Sequence, residues 1–173
     1  MTTITAPARR RLTAFPETVN EVSARLVAAG VVAMAIGILA FGQWWILVPL
    51  AYGFLARVVA GPRFSPLGLL VTRALTPSLA LEPRIVPGPP KQFAQGVGAV
   101  FSVSALVLHL AGSSDAASVV LGMLVFAATL ESAFGYCIGC KVFALLMRVG
   151  VIPESVCEAC NDLTLRRPEP ATS

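Results

Sequence analysis

Four cysteines stand in two Cys-x-x-Cys pairs, Cys137 with Cys140 and Cys157 with Cys160, separated by 16 residues. Two chemistries use that spacing. In the first, each pair chelates locally and the intervening chain lets all four thiolates converge on one tetrahedral zinc. In the second, each pair closes a disulfide or carries a persulfide, and the thiols exchange with each other or with a soluble partner. Lys141, next to Cys140, is expected to favour the thiolate, and the N-terminus of a last short helix to do the same for Cys157. Reduced, unreactive thiols are the plain alternative, less natural for two regular pairs than for scattered cysteines. Thiol exchange or sulfur transfer by Cys137, Cys140, Cys157 and Cys160 leads, with a structural four-cysteine zinc site as the alternative.

Two ionisable residues lie inside apolar runs, where charge is costly and each group is a site candidate. Arg57 falls about one turn from the end of the second run, and Glu131 about one turn from the end of the fourth. Their depths match, so a pair is expected, either fixing helix packing or supporting the thiols. Arg25 reads as a snorkelling anchor. The single histidine, His109, reads as a packing hydrogen-bonder.

The elements that must position these groups are membrane helices. The chain has 173 residues, 56% hydrophobic and 13% charged, with a mean hydropathy of +0.79. A soluble domain needs more charge to cover its surface. The expected fold is all-α and polytopic, in contact with a lipid bilayer. It has four transmembrane helices in two antiparallel hairpins, at about 21–41, 44–60, 93–111 and 116–134, making one membrane domain over 21–150. Ala29, Ala33 and Gly37 form a small-residue stripe suited to close helix approach. Gln95, Gly98, Ser102, Ala105 and His109 share one small, polar face that should look into the bundle. Ser65-Pro66 opens an interfacial helix over about 66–76, and Pro83, Pro87, Pro89 and Pro90 then make a stiff linker. Residues 1–20 read as a disordered tail, 151–165 as a cysteine-bearing tail whose last short helix starts at Pro153, and 166–173 as disordered.

The net charge of +4 does not point to nucleic acid, because the cations flank apolar runs. All 13 fall in three places: Arg9 to Arg11 with Arg25, Arg57 to Lys91, and Lys141 to Arg167. The positive-inside rule then puts both termini and the long connection in the cytosol, where structural disulfides are rare. No phosphate-loop or dinucleotide motif is present; Gly96 and Gly98 lack the third glycine and the preceding strand.

Tyr52-Gly-Phe-Leu-Ala-Arg57, Gly61-Pro-Arg-Phe-Ser-Pro-Leu-Gly68, Lys91-Gln-Phe-Ala-Gln-Gly96 and Gly135-Tyr-Cys-Ile-Gly-Cys140 together are telling. Over about 20–149 the chain resembles a bacterial membrane family, domain of unknown function four-three-nine-five, with Cys-x-Gly-Cys after the last membrane helix as its most specific element. The resemblance implies a small integral protein of the bacterial inner membrane with no established activity. It also implies thioredoxin-like or rhodanese-like sulfur-transfer proteins as partners. A transporter of a small sulfur compound is a third class, for which the polar face of the third helix is slight support.

Overall fold

The computed structural model describes residues 15–16, 18–61, 64–79 and 84–157. Arg9, Arg10, Arg11, Arg63, Cys160, Arg166 and Arg167 lie outside them, as do 1–14 of the expected 1–20 tail, 158–165 of the expected cysteine-bearing tail and the expected tail over 166–173. The described chain is mostly helical: α1 (Glu21–Phe41), α2 (Leu47–Ala60, led in by a 3-10 turn at Trp44–Ile46), α3 (Pro66–Leu70), α4 (Thr76–Ser78), α5 (Gly88–Leu110), α6 (Ser114–Phe134) and α7 (Ile138–Arg148). A π-helical turn, Val71–Leu75, joins α3 to α4.

Local chemistry sets the ends. The Asn20 side chain accepts the Val22 N–H and caps α1. Ser65 caps α3 by accepting the Gly68 N–H, with Pro66 in the first turn. Gly42 closes α1 at a φ of 65°, a left-handed conformation that a side chain strains.

Three helices, α1, α5 and α6, are long and apolar enough to cross a membrane. The fourth apolar segment, Trp44–Ala60, is shorter, below the roughly 20 residues a bilayer core asks of a straight helix. Helix length and composition thus fit a polytopic membrane protein in which one of the four expected spans is a shorter helix. Its pairing also differs from two self-contained hairpins. The turn at Gly42-Gln43 joins α1 to α2, but α1 packs chiefly on α6 and α2 on α5, with α5 against α6. Side-chain complementarity, not loop length, selects the neighbours. The buried face of α1 is Ser23, Val27, Ala28, Val31, Ala35 and Ile38. Ala29 and Ala33 are exposed and nothing lies within 4 Å of a Cβ at Gly37, so the small-residue stripe faces outward. The stripe on α5 does look inward: Gly98, Ser102 and Ala105 are buried. A Cβ at Gly98 would collide with the Phe54 ring, so the glycine lets α2 and α5 close.

Three further expectations are corrected. Thr18–Asn20 is a strand (β1), paired antiparallel with Ile85–Pro87 (β2), so part of the first 20 residues is ordered. The ladder ties the entries of α1 and α5 together, and Arg84 Nε reaches Glu21 Oε2 at 3.1 Å beside it. α5 begins at Gly88, before the expected position. Pro89 and Pro90 fit its first turn, where their missing N–H groups leave no intrahelical bond unmade. Arg25 caps rather than snorkels: its Nε and Nη2 donate to the Ser132 and Ala133 carbonyls at 3.2 and 2.8 Å, closing the C-terminus of α6. His109 stacks on Trp44 with centroids 4.2 Å apart, and its Nδ1 lies 3.2 Å from Ser114 Oγ. It packs the opposite end of the bundle from the cysteines.

Candidate functional site: a dithiol at one end of the bundle

The end of α2, the start of α5 and the end of α6 meet at one end of the bundle. After α6, Gly135 adopts a φ of 68°, and the Gly135 and Tyr136 N–H groups donate back to the Glu131 and Leu130 carbonyls. That closure turns the chain within two residues. Cys137 follows in extended conformation as the N-cap of α7, its Sγ accepting the Cys140 N–H at 3.4 Å. A sulfur thus takes the place of the usual hydroxyl or carboxylate cap. The positive end of the α7 dipole points at Cys137.

The spacing of Cys-Ile-Gly-Cys puts the fourth residue on the first turn, within reach of the first. Both thiols are free. The Cys140 thiol hydrogen-bonds to Cys137 and holds it below the ordinary thiol range, outweighing the upward push of burial; the Lys91 ammonium adds to the lowering. The same hydrogen bond, with burial, pushes Cys140 well above that range. The pair therefore has one thiolate-prone sulfur and one proton-holding sulfur. The cation that acts on the thiols is Lys91, not Lys141, whose ammonium lies 5.5 Å from the Tyr136 ring centroid. The glycine within the motif has a packing role. A Cβ at Gly139 would fall 2.7 Å from Ala94 Cα, so only glycine lets α7 lie this close on α5. Phe143 and Phe93, 5.7 Å apart, continue that contact.

Because Cys137 is the thiolate-prone sulfur, its alkylation by iodoacetamide should persist below the pH at which an ordinary thiol loses reactivity. Thiolate, not thiol, reacts, and a lowered pKa keeps the thiolate populated as pH falls. Cys140→Ala removes the donor and should move the midpoint upward. Site-resolved mass spectrometry across a pH series reads both; a wild-type midpoint at or above that of free cysteine would contradict the assignment.

Arg57 and Glu131 both line one cavity, and the charge of Glu131 acts on Arg57, yet they form no ion pair among the described residues. Lys91 is the partner of Glu131, Nζ to Oε1 2.6 Å, with both side chains largely buried. Arg57 is 4% exposed. Its Nε donates to Gln95 Oε1 and its Nη1 to Ser65 Oγ, at 2.8 and 2.9 Å, and its Cζ lies 4.6 Å from the Phe54 centroid. Its Nη2 is buried with no hydrogen-bond partner among the described residues.

Lys91 is the residue that sequence reasoning passed over as a topology charge. One signal was present: Lys91 and Glu131 stand nearly equidistant from Gly112, the turn between two antiparallel helices. The cavity, about 560 Å³, carries Arg57, Gln95, Glu131 and Cys137 at this end. The rest of its wall is apolar, including Val31, Phe54, Phe101, Met123 and Phe126.

The second pair is placed differently. Cys157 ends a 3-10 turn, Glu154–Cys157, is 2% exposed, and is disulfide-bonded. It is not held as a free thiolate at a helix N-terminus. Cys160 lies outside the described residues. Among the described residues no three metal-ligating side chains converge.

A family model, Domain of unknown function (DUF4395), matches residues 19–148. Neither a curated protein nor a solved structure matches the chain.

Proposed function

The chain belongs to the DUF4395 family, a membership that brings no activity with it, and from the site we propose a membrane-embedded dithiol protein. Cys137 and Cys140 act in thiol redox or sulfur transfer with a cytosolic thioredoxin-like or rhodanese-like partner. The observation that carries this reading is the capping of α7 by Cys137, whose Sγ accepts from the Cys140 N–H. A helix N-terminus and a neighbouring thiol donor together favour a nucleophilic thiolate beside a resolving thiol. Lys91 supports the thiolate, and Glu131 holds Lys91 in place. Arg57 stands at the same end of the bundle. A four-thiolate zinc would need Cys157, whose sulfur is engaged in a disulfide.

The test is trapping. Cys140→Ser should leave Cys137 able to attack but unable to resolve, so a mixed disulfide or persulfide accumulates on Cys137. Cys137→Ser should trap nothing there. Non-reducing electrophoresis with mass spectrometry reads the adduct, and identical behaviour of the two variants would end the proposal.

The same reading places the dithiol in the cytosol of a bacterial cell. Lys141 and Arg148 follow α6, and Arg57, Arg73, Arg84 and Lys91 lie in or around the long connection at the same end. A reporter fused after Ser173 is expected to be cytosolic. An extracytosolic reporter would reverse the orientation and make oxidative folding the better assignment.

A further inference from the structure

The dithiol reading leaves the cavity and the unpartnered Arg57 Nη2 unexplained. Val119, Met123 and Phe126 both line the cavity and are exposed on the outside of the bundle. In a membrane protein that outer face meets lipid, so the cavity communicates with the bilayer rather than with water alone. Its occupant must be apolar over most of its length and present a hydrogen-bond acceptor at the Arg57 end. Charge decides what kind of acceptor. Arg57 and Lys91 bring two positive charges and Glu131 one negative; the dithiol reading adds the second negative charge whenever Cys137 stands as its reactive thiolate. In that reactive state the cluster is balanced, so a carboxylate head would add an uncompensated charge, whereas a neutral carbonyl would not.

We propose that this cavity binds a lipid-soluble quinone, its carbonyl oxygen accepting from Arg57 Nη2, and that the Cys137–Cys140 dithiol reduces it. The proposal rests on the dithiol reading and names its electron acceptor. The step balances as follows. The Cys137 thiolate and the Cys140 thiol form one S–S bond and give up two electrons. The quinone takes both electrons and the Cys140 proton, becoming the hydroquinone monoanion. The negative charge has moved from Cys137 Sγ to the quinone oxygen, where the guanidinium stabilises it, so the net charge of the buried cluster is unchanged during transfer. A proton from water at the bundle end completes the hydroquinone. The disulfide is then available to oxidise a soluble partner thiol.

The experiment uses the full chain in lipid nanodiscs, reduced and freed of reductant, with a decyl-substituted benzoquinone as probe. The expected result is one quinone reduced for each Cys137–Cys140 dithiol lost, read by quinone absorbance and a thiol count. Arg57→Gln should raise the half-saturating quinone concentration about tenfold, the scale of one charge-assisted hydrogen bond. Arg57 also holds Ser65 and Gln95, so a second variant guards against misfolding. Gly122 lines the cavity with nothing within 4 Å of its Cβ position. Gly122→Phe has an open Cβ position and should direct its ring into the slot, slowing quinone reduction by about tenfold or more, with an unchanged unfolding midpoint showing that the fold accepts it. If glutathione disulfide closes the Cys137–Cys140 bond but the quinone does not, the quinone assignment is overturned and the dithiol reading stands. If neither oxidises the pair, both fall. Binding of a long-chain carboxylate without quinone reduction, or a wild-type rate in Gly122→Phe, also overturns the assignment.

Discussion

Glu131→Leu is expected to cost about 3–5 kcal/mol of stability, the range for removing one partner of a buried pair. The cause is electrostatic. Lys91 loses the carboxylate 2.6 Å from its ammonium, and Arg57 loses the Glu131 charge that acts on it. Two buried cations then stand at one end of the bundle without that carboxylate. Lys91→Met should cost less, because Glu131 keeps Arg57 nearby and the free Nη2 can turn toward it. The double variant Lys91→Met with Glu131→Leu should recover much of the loss, since an apolar pair of similar volume replaces a pair whose desolvation offset its attraction. Unfolding in mixed micelles measures all three. Additive costs in the double variant would show that the two residues act separately. Lys91→Met should also slow Cys137 alkylation at neutral pH, because a cation favouring the thiolate is gone.

Gly139→Ala is the second large effect, and its contrast is Gly37→Ala. Both replace glycine on a helix, where alanine is intrinsically better by up to about 1 kcal/mol. At Gly37 nothing stands within 4 Å of the added methyl, so that gain should appear as a small stabilisation. At Gly139 the methyl would fall 2.7 Å from both Cα and Cβ of Ala94. Backbone cannot swing aside as a flexible side chain does, so α7 must lift off α5. Overpacking of this kind costs about 1–3 kcal/mol. Displacing α7 also moves the N-cap, so Gly139→Ala should lose the low-pH reactivity of Cys137 while Gly37→Ala retains it. Equal effects at the two glycines would refute the close packing of α7 on α5.

Composition and apolar run length were enough to make this a helical membrane protein, because lipid forces backbone polar groups into helices whatever their neighbours. Cap chemistry was equally local: Ser65-Pro66, the glycine stops and the inward polar face of α5 follow from residue type and period. The thiol pair was legible as Cys-x-x-Cys, but its asymmetry was not. That depends on Cys137 falling outside the helix and Cys140 inside it, which the turn at Gly135 decides. The partners of the charges were least legible. Arg57 and Glu131 do share a depth, yet helix rotation gave Glu131 to Lys91 and Arg57 to Gln95 and Ser65. Spacing along one helix defines a face; which helix meets that face is settled by ridges and glycines on both, as at Gly98 with Phe54 and Gly139 with Ala94. Hence the outward turn of Ala29, Ala33 and Gly37, a stripe as regular as the buried one. Only the packed bundle chose between them.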